Sequence, residues 1–352
     1  MTYGEKPECS PDISPAVSAF KANFIPGGLI FNIHFHHYAN DGMGWSSLVH
    51  QLAENCYAMM NQTPAPDWNP ACIGHTRLIA KDIPDEAKVD GLSAPDRHKD
   101  HLPSSCILFH LPKSKAAELK LFATPDDGSW ISTYDAFSAL LWRILSKHRA
   151  ALYKSDISSC PIWIEAINMR PKLNPPMPDR VQGNVMYVAA SVNQTDQFTL
   201  AEVISEVPLS RLAAYIRKLT NSITEESLQP ILEKAASVRD KTSLFIRVDS
   251  FPPTTICMTD WRETHICEAD FGFGKPKGFR HLFDVVTEGL IIVYPPLASS
   301  KDSDEGFEIF VSLENQLIEQ VKEDPEMKKY FEFRGFEVQT GDIPTNLVGK
   351  MF

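Results

Sequence analysis

The chain has 352 residues, of which 43% are apolar and 22% charged, and its formal net charge is −11. This composition is typical of a soluble globular protein with one large domain or two. The acidic balance argues against a nucleic-acid partner, which needs clustered Lys and Arg, and no apolar run is long enough to span a membrane. The seven cysteines are widely spaced without a CxxC pair, and the N-terminus has no signal-peptide pattern. We therefore expect free thiols and a cytoplasmic location.

In chain order, residues 1–26 have no clear pattern, and a strand is predicted over 28–37. Apolar residues then recur every three or four positions over 44–60, which predicts a helix. The stretch from 61 to 105 is rich in Pro, Asp, Lys and His and has little periodicity. An irregular connection of that length usually crosses between domains or serves a functional site.

The rest of the chain alternates helical and strand-like segments. A helix over 133–149 is the best marked, because Ser132 and Asp135 form a variant of the capping box before its apolar stripe. Helices are also predicted over 113–123, 199–239 (one helix or two) and 314–322. Strands are predicted over 106–111, 162–168, 185–192, 243–248, 255–259, 289–294 and 307–313, and a loose tail over 335–352. The alternation indicates an α/β or α+β protein.

The segment HHYANDG follows the first strand and carries the first candidate site. Strand alternation places Phe35 and His37 on one face, so His37 is expected to end the buried face where the sheet opens into a turn. A neutral imidazole there can act as a general base. Asp41, next to Gly42, can brace the turn through an Arg or cap the following helix. A core histidine, a helix cap and a simple turn explain the same residues, and HxxxD alone is a weak signal.

Two other kinds of chemistry have less support. His34 and His36 can face one metal ion, but the remaining histidines form no second cluster, so we expect no metal site. There is no GxSxG elbow and no cysteine in an activating context, so a covalent acyl-enzyme is not expected.

The segment DFGFGKP carries the second candidate site. Asp270, Gly272 and Gly274 indicate a sharply shaped loop, which by itself has the ordinary interpretation of a structural turn. It does not open a helix and is too poor in glycine for a dinucleotide-binding loop.

The two segments, in this order, resemble the HxxxD and DFGWG motifs of the BAHD acyltransferase family, in its fungal branch of the trichothecene 3-O-acetyltransferase type. Further matches lie between them: YDAFSA before WR at 134–143, NMR at 168–170 before a Pro-Pro turn, GN at 183–184, and TDW at 259–261. The resemblance extends from about residue 15 to residue 335.

The resemblance implies two chloramphenicol-acetyltransferase-like domains around a central channel, with His37 at its centre. The expected division is 1–105, including a crossover loop, and 106–352, with about 260–294 returning to the first domain. There are two departures from the family. Phe273 replaces the Trp of the second motif, and HxxxD comes as early as residue 37, so the first domain is expected to be incomplete.

The resemblance also implies an activity: transfer of an acyl group, most simply acetyl, from acyl-CoA to a hydroxyl or amine of a specialised metabolite. Acyl-CoA is then a co-substrate, no cofactor is bound permanently, and the enzyme is expected to be a monomer.

His37 is the implied general base, and Asp41 a structural partner of Arg170. The other implied site residues are Thr259 and Trp261 toward the tetrahedral intermediate, Ser132, Gly183 and Asn184 toward CoA, and Gly42, Asp270, Gly272 and Gly274 as shaping residues. Alternatives are a catalytically silent or binding-only remnant, a condensation-type domain and a metal-dependent hydrolase.

Overall fold

The structure, a computed structural model, describes residues 16–74, 76–78, 83–93, 95–244, 247–281, 286–297 and 303–338. It is a mixed α/β protein, as the sequence predicts. Its strands are β1 (Ser18–Ile25), β2 (Gly28–Phe35), β3 (Ser104–Leu111), β4 (Trp163–Asn168), β5 (Met186–Ala190), β6 (Ile256–Asp260), β7 (Leu290–Val293), β8 (Phe307–Glu314) and β9 (Glu332–Val338). Its helices are α1 (Gly42–Asn61), α2 (Lys113–Ala123), α3 (Thr133–Tyr153), α4 (Leu209–Ser222), α5 (Leu228–Ser237), α6 (Ile318–Glu323) and α7 (Pro325–Tyr330).

The N-terminal part is a β-hairpin followed by α1. Strands β1 and β2 pair antiparallel from Ser18↔Phe35 to Ile25↔Gly28. The connection is a two-residue turn in which Gly27 has a φ of +81°, a conformation that Gly adopts without strain. The hairpin leads directly into the HHYANDG turn, so its last pair sets where that turn begins.

The larger sheet has seven strands in the order β5-β4-β6-β7-β8-β3-β9. Strand β6 runs parallel to β4 and β7, and the other neighbouring pairs are antiparallel. The carboxyl end of β6, the third strand in this order, therefore lies beside the end of β7, the central strand, with Asp260 opposite Val293. Parallel strand ends of this kind are common positions for ligand sites.

The two faces of this sheet differ. One face is covered by α2, α3, α4, α6 and α7 and holds the main hydrophobic core, in which Trp142 and Trp163 are fully buried. The other face holds a smaller cluster that includes Tyr294 and Phe310, with Trp261 packed against it. The candidate site lies on this second face.

Several predicted elements need correction. The strand predicted over 28–37 ends at Phe35, because pairing with β1 ends there. The strand predicted over 243–248 is absent from its described residues, which form short 3-10 turns at Lys241–Ser243 and Val248–Ser250. The predicted tail begins with an ordered strand, since β9 pairs with β3 up to Val338, and residues 339–352 lie outside the described part. Two short helices, α6 and α7, replace the one predicted over 314–322. Strand β1 is an additional element that the sequence did not predict.

Across the described ranges, no helix is long and apolar enough to cross a membrane. The six cysteines within them are all free thiols.

Candidate active site

The HHYANDG turn exposes His37. The strand ends at Phe35, and the next residues form a turn closed by a hydrogen bond from the Ala39 N–H to the His36 carbonyl, at 2.9 Å. His36 is buried and His37 is exposed, so the expectation that His37 ends the buried strand face is wrong. The physical reason is the early end of the hairpin, which releases the chain from strand alternation before His37. The imidazole is thereby displayed on a turn, where it can reach a ligand.

Asp41 and Arg170 hold this turn against the large sheet. The Arg170 guanidinium donates to both Asp41 carboxylate oxygens, at 2.9 and 3.0 Å. The same carboxylate accepts the N–H groups of Gly44 and Val185, both at 2.8 Å, so it also caps α1. Both predicted roles of Asp41, ion pair and helix cap, are therefore present together. The Asp41 carboxylate oxygens thus accept four hydrogen bonds that stabilise the fold.

A second brace comes from the segment that precedes β5. The Gly183 N–H donates to the Asn40 side chain at 2.6 Å, and the Asn184 amide donates to the His37 carbonyl at 2.7 Å. The Gly183 carbonyl accepts from Arg170 at 2.9 Å. A side chain at Gly44 would clash with Asn40 Oδ1 and lie 3.0 Å from the Gly183 carbonyl oxygen, so the turn and this segment are closely fitted. Gly183 and Asn184, which the resemblance places toward CoA, here fix the backbone of the HHYANDG turn.

Trp261 connects the turn to the sheet face. It follows β6 directly, and its indole N–H donates to the Thr259 hydroxyl at 3.1 Å. A Cβ built on Gly42 would lie 3.6 Å from the Trp261 ring, an ordinary contact distance. The structure therefore brings Thr259, Trp261 and the HHYANDG turn to one place. Because the indole N–H is engaged, the Thr259 hydroxyl proton is the one left to donate to a ligand.

An aromatic group that the sequence did not reveal surrounds Trp261. Its ring neighbours, with centroid distances of 5.4 to 6.4 Å, are Trp45, Phe279, His281 and Tyr294. His281, which the sequence pattern groups with no other histidine, belongs to this aromatic group through its contact with Trp261. No local sequence signal joins residues 261 and 281, which meet only in the folded chain.

Burial shifts the pKa of three titratable groups in and near the site. Burial, and then the charge of His37, lower the pKa of His281 to about 4. Burial raises the pKa of the Cys257 thiol, two positions before Thr259 on β6, to about 12. A thiol with that pKa is a poor nucleophile, so a cysteine mechanism has no support from Cys257. Burial, and then His36, lower the pKa of His34.

Ser132 lies at the amino end of α3, where it forms the predicted capping box with Asp135. The Ser132 N–H and hydroxyl both donate to the Asp135 carboxylate, at 2.6 and 2.9 Å, and Asp135 also pairs with Arg217. The hydroxyl of Ser132 is thus used in helix capping.

The DFGFG loop packs on α1 and on the hairpin. The Gly272 N–H donates to Asp270 Oδ1 at 2.9 Å, which makes a tight Asx turn, and Gly272 has a φ of +84°. Phe271 contacts Phe31 of β2 with a centroid distance of 6.1 Å, whereas Phe273 is 63% exposed. The loop therefore supports the elements that carry His37.

The described part of the chain contains no group of three His, Cys, Asp or Glu side chains arranged to hold a metal ion.

Comparisons with known proteins agree on the family. The sequence matches the Transferase family over residues 6–328. It is 54% identical over 339 residues to acetyltransferase FGR3 of Gibberella zeae, covering 96% of this chain and 68% of that protein. It is 27% identical over 349 residues to trichothecene 3-O-acetyltransferase TRI101 of Fusarium sporotrichioides, covering 94% of this chain and 71% of that protein.

Solved structures with the same fold include F. graminearum TRI101 in complex with coenzyme A and deoxynivalenol, with a TM-score of 0.72 and 21% identity over 92% of this chain and 72% of that one. Vinorine synthase is also similar, with a TM-score of 0.60 and 16% identity over 87% of this chain and 64% of that one. These likenesses bear out the expected chloramphenicol-acetyltransferase-like α/β fold. The match over nearly all of the sequence and the 54% identity to a fungal acetyltransferase show that this chain belongs to the Transferase family, as a fungal BAHD acyltransferase.

Proposed function

We propose that this chain transfers an acetyl group from acetyl-CoA to a hydroxyl or amine of a small molecule, with His37 as general base. The observation that carries the proposal is the exposed His37 on a turn segment that Asn184 holds by a hydrogen bond and that lies against Trp261 at Gly42. Trp261 in turn donates to the Thr259 hydroxyl. The similarity to an acetyltransferase, and to a solved complex with coenzyme A, supports the choice of donor.

The proton follows a short path in this mechanism. His37 takes the proton from the acceptor O–H or N–H as that atom attacks the thioester carbonyl, which forms the new C–O or C–N bond. The tetrahedral intermediate then collapses with cleavage of the C–S bond. The leaving CoA thiolate takes the proton back from His37, so the enzyme returns to its starting state without a covalent acyl-enzyme.

Thr259 is the proposed donor to the oxyanion. Its hydroxyl accepts the Trp261 indole N–H at 3.1 Å, which orients its own proton away from the indole. A donor held in position before the reaction stabilises developing negative charge at little reorganisation cost. Trp261 then acts by positioning Thr259.

The test is an assay of the purified chain with acetyl-CoA and a panel of hydroxylated terpenoids, phenolics and amines. We expect release of free CoA thiol together with a product one acetyl group heavier. A parallel measurement of thermal unfolding separates a wrong choice of acceptor from loss of function, because a ligand that binds only the folded state raises the unfolding temperature. If saturating CoA did not raise the unfolding temperature and no thiol were released with any acceptor, the proposal would be contradicted.

A further inference from the structure

We propose that Asn184 is a positioning residue for His37: its side-chain amide holds the His37 carbonyl, and so sets the direction of the imidazole that takes the proton. Asn184 then contributes to the rate of the chemical step and not to the binding of CoA, the role that the resemblance implies for it. This inference rests on the function proposed above, because it takes His37 as the general base.

Segment 183–185, which leads into β5, lies along the HHYANDG turn and contacts it at each of its three residues. The Gly183 N–H donates to the Asn40 side chain at 2.6 Å, and the Gly183 carbonyl accepts the Asp41 N–H at 3.4 Å. The Val185 N–H donates to the Asp41 carboxylate at 2.8 Å. These three bonds hold the end of the turn, at positions 40 and 41, in a fixed relation to the large sheet.

Asn184 is the member of this segment that reaches the exposed part of the turn. Its amide N–H donates to the carbonyl oxygen of His37 at 2.7 Å. That carbonyl belongs to the planar peptide unit between His37 and Tyr38, so the bond restrains the ψ angle of His37. Since the rotamers open to a side chain depend on the φ and ψ of its own residue, the bond also limits where the His37 imidazole can project.

The backbone on the other side of His37 is held as well. The His36 N–H donates to the Val17 carbonyl at 2.8 Å, and the Tyr38 N–H donates to His36 Nδ1 at 3.2 Å. His37 therefore lies between a residue fixed by the hairpin and a carbonyl fixed by Asn184. A catalytic side chain must be held within about 0.5 Å of its productive position, and a displacement of about 1 Å can cost about 100-fold in rate.

Orientation of the base and binding of CoA predict different kinetics for Asn184. An interaction with CoA that is equally strong in the ground state and in the transition state changes KM and leaves kcat unchanged. An interaction that orients the base changes kcat and leaves the affinity for CoA unchanged. The two roles are therefore separable in one set of variants.

The experiment compares Asn184→Leu, which has a similar size but no donor, with Asn184→Gln, which keeps the amide. We expect Asn184→Leu to lower kcat by about 10- to 100-fold, with the KM for acetyl-CoA within about threefold of the wild type. Asn184→Gln should retain more of the rate than Asn184→Leu, because its amide can still donate to the His37 carbonyl.

Hydrogen exchange of the Ala39 N–H, measured by NMR, tests the same contact without substrate. This N–H donates to the His36 carbonyl at 2.9 Å across the turn. Its exchange should be about fivefold faster in Asn184→Leu, because the turn loses one hydrogen bond of small net free energy and opens more often.

Asn55→Leu is the matched control. Asn55 is also exposed, and its amide donates to a backbone carbonyl, that of Gln51, at 2.8 Å, but it lies on α1 away from the turn. Its kcat and its Ala39 exchange should equal those of the wild type.

A kcat of Asn184→Leu within about twofold of the wild type, or a loss confined to the KM for acetyl-CoA, would overturn the inference. Ala39 exchange that is no faster in Asn184→Leu than in Asn55→Leu would overturn it as well. Because exchange needs no substrate, it decides whether Asn184 holds the backbone at His37 even if the chain transfers no acetyl group and the proposed function fails.

Discussion

Asp41 and Arg170 form a bidentate ion pair, with bonds of 2.9 and 3.0 Å, between residues that are only 4% and 1% exposed. Arg170 follows β4 and Asp41 caps α1, so the pair joins the hairpin and α1 to the large sheet. The geometry of the turn that carries His37 depends on this link.

Replacing Asp41 with Asn should destabilise the fold strongly, because Arg170 stays buried without a counter-charge. The expected loss in unfolding free energy is about 3–5 kcal/mol, measured by urea denaturation at neutral pH. Asp196→Asn is the control, since Asp196 pairs with Lys218 in an exposed ion pair that should contribute little. A loss at Asp41 as small as that at Asp196 would show that the pair does not join the two parts.

Thr259→Val should lower kcat by roughly 100-fold while the KM for acetyl-CoA changes little, because it removes one oxyanion donor without changing the shape of the site. Thr259→Ser keeps the hydroxyl and should retain most of the activity. Steady-state kinetics of the two variants test whether the Thr259 hydroxyl takes part in the reaction. If valine and serine at this position gave equal rates, the hydroxyl would have no part in the reaction.

Gly272→Ala should destabilise the protein more than Gly274→Ala. Both glycines have positive φ values, so alanine strains the backbone at either position. Only at Gly272 would the new Cβ also meet α1, at 2.8 Å from Met60 Cβ and 2.9 Å from Tyr57 Cα. We expect an additional cost of about 1–3 kcal/mol in thermal or urea unfolding. Equal losses would mean that the DFGFG loop does not pack closely on α1.

His281 should make the fold less stable in mild acid. Its pKa is about 4 in the folded chain, against an ordinary value of 6.5, so between these values the unfolded state binds a proton that the folded state does not. Stability is therefore lost as the pH falls below 6.5, and no further below about 4.

The measurement is the unfolding free energy of wild type and His281→Gln at about pH 7.5 and about pH 5. The wild type should lose about 1–2 kcal/mol more than the variant on acidification. Comparing the two proteins removes the contributions of His34 and His101, whose pKa values burial also lowers. The same loss in both proteins would contradict a neutral, half-buried His281 in the folded chain.

Local sequence signals predicted the helices well. The capping box at Ser132 and the apolar stripe after it place α3 correctly, and α2 has the bounds predicted for it. The Pro26-Gly27 turn was a usable sign of the β1–β2 hairpin, since Pro-Gly between two extended runs favours a tight reversal. What local patterns could not predict is β9, because a seven-residue strand near the chain end is stabilised by pairing with the distant β3.

In the site, too, some features could be predicted from local patterns or from the resemblance, and others depend on contacts between distant parts of the chain. The pairing of Asp41 with Arg170 was expected from the resemblance, and the two side chains form an ion pair in the structure. The exposure of His37 was missed because strand alternation was extended two residues past the last backbone pair. The place of His281 in the aromatic group was missed because its contact with Trp261 arises only when the chain folds.

Removal of the acceptor proton by His37 can be tested by varying the acidity of the acceptor. We predict that His37→Ala lowers kcat/KM for aliphatic alcohols by roughly 100- to 10,000-fold, whereas His98→Ala, at a histidine outside the site, does not. The loss in His37→Ala should shrink for phenols at a pH where they are already ionised, because such acceptors need no base. An equal loss for alcohols and ionised phenols, or full activity of His37→Ala with alcohols, would contradict a general-base role for His37.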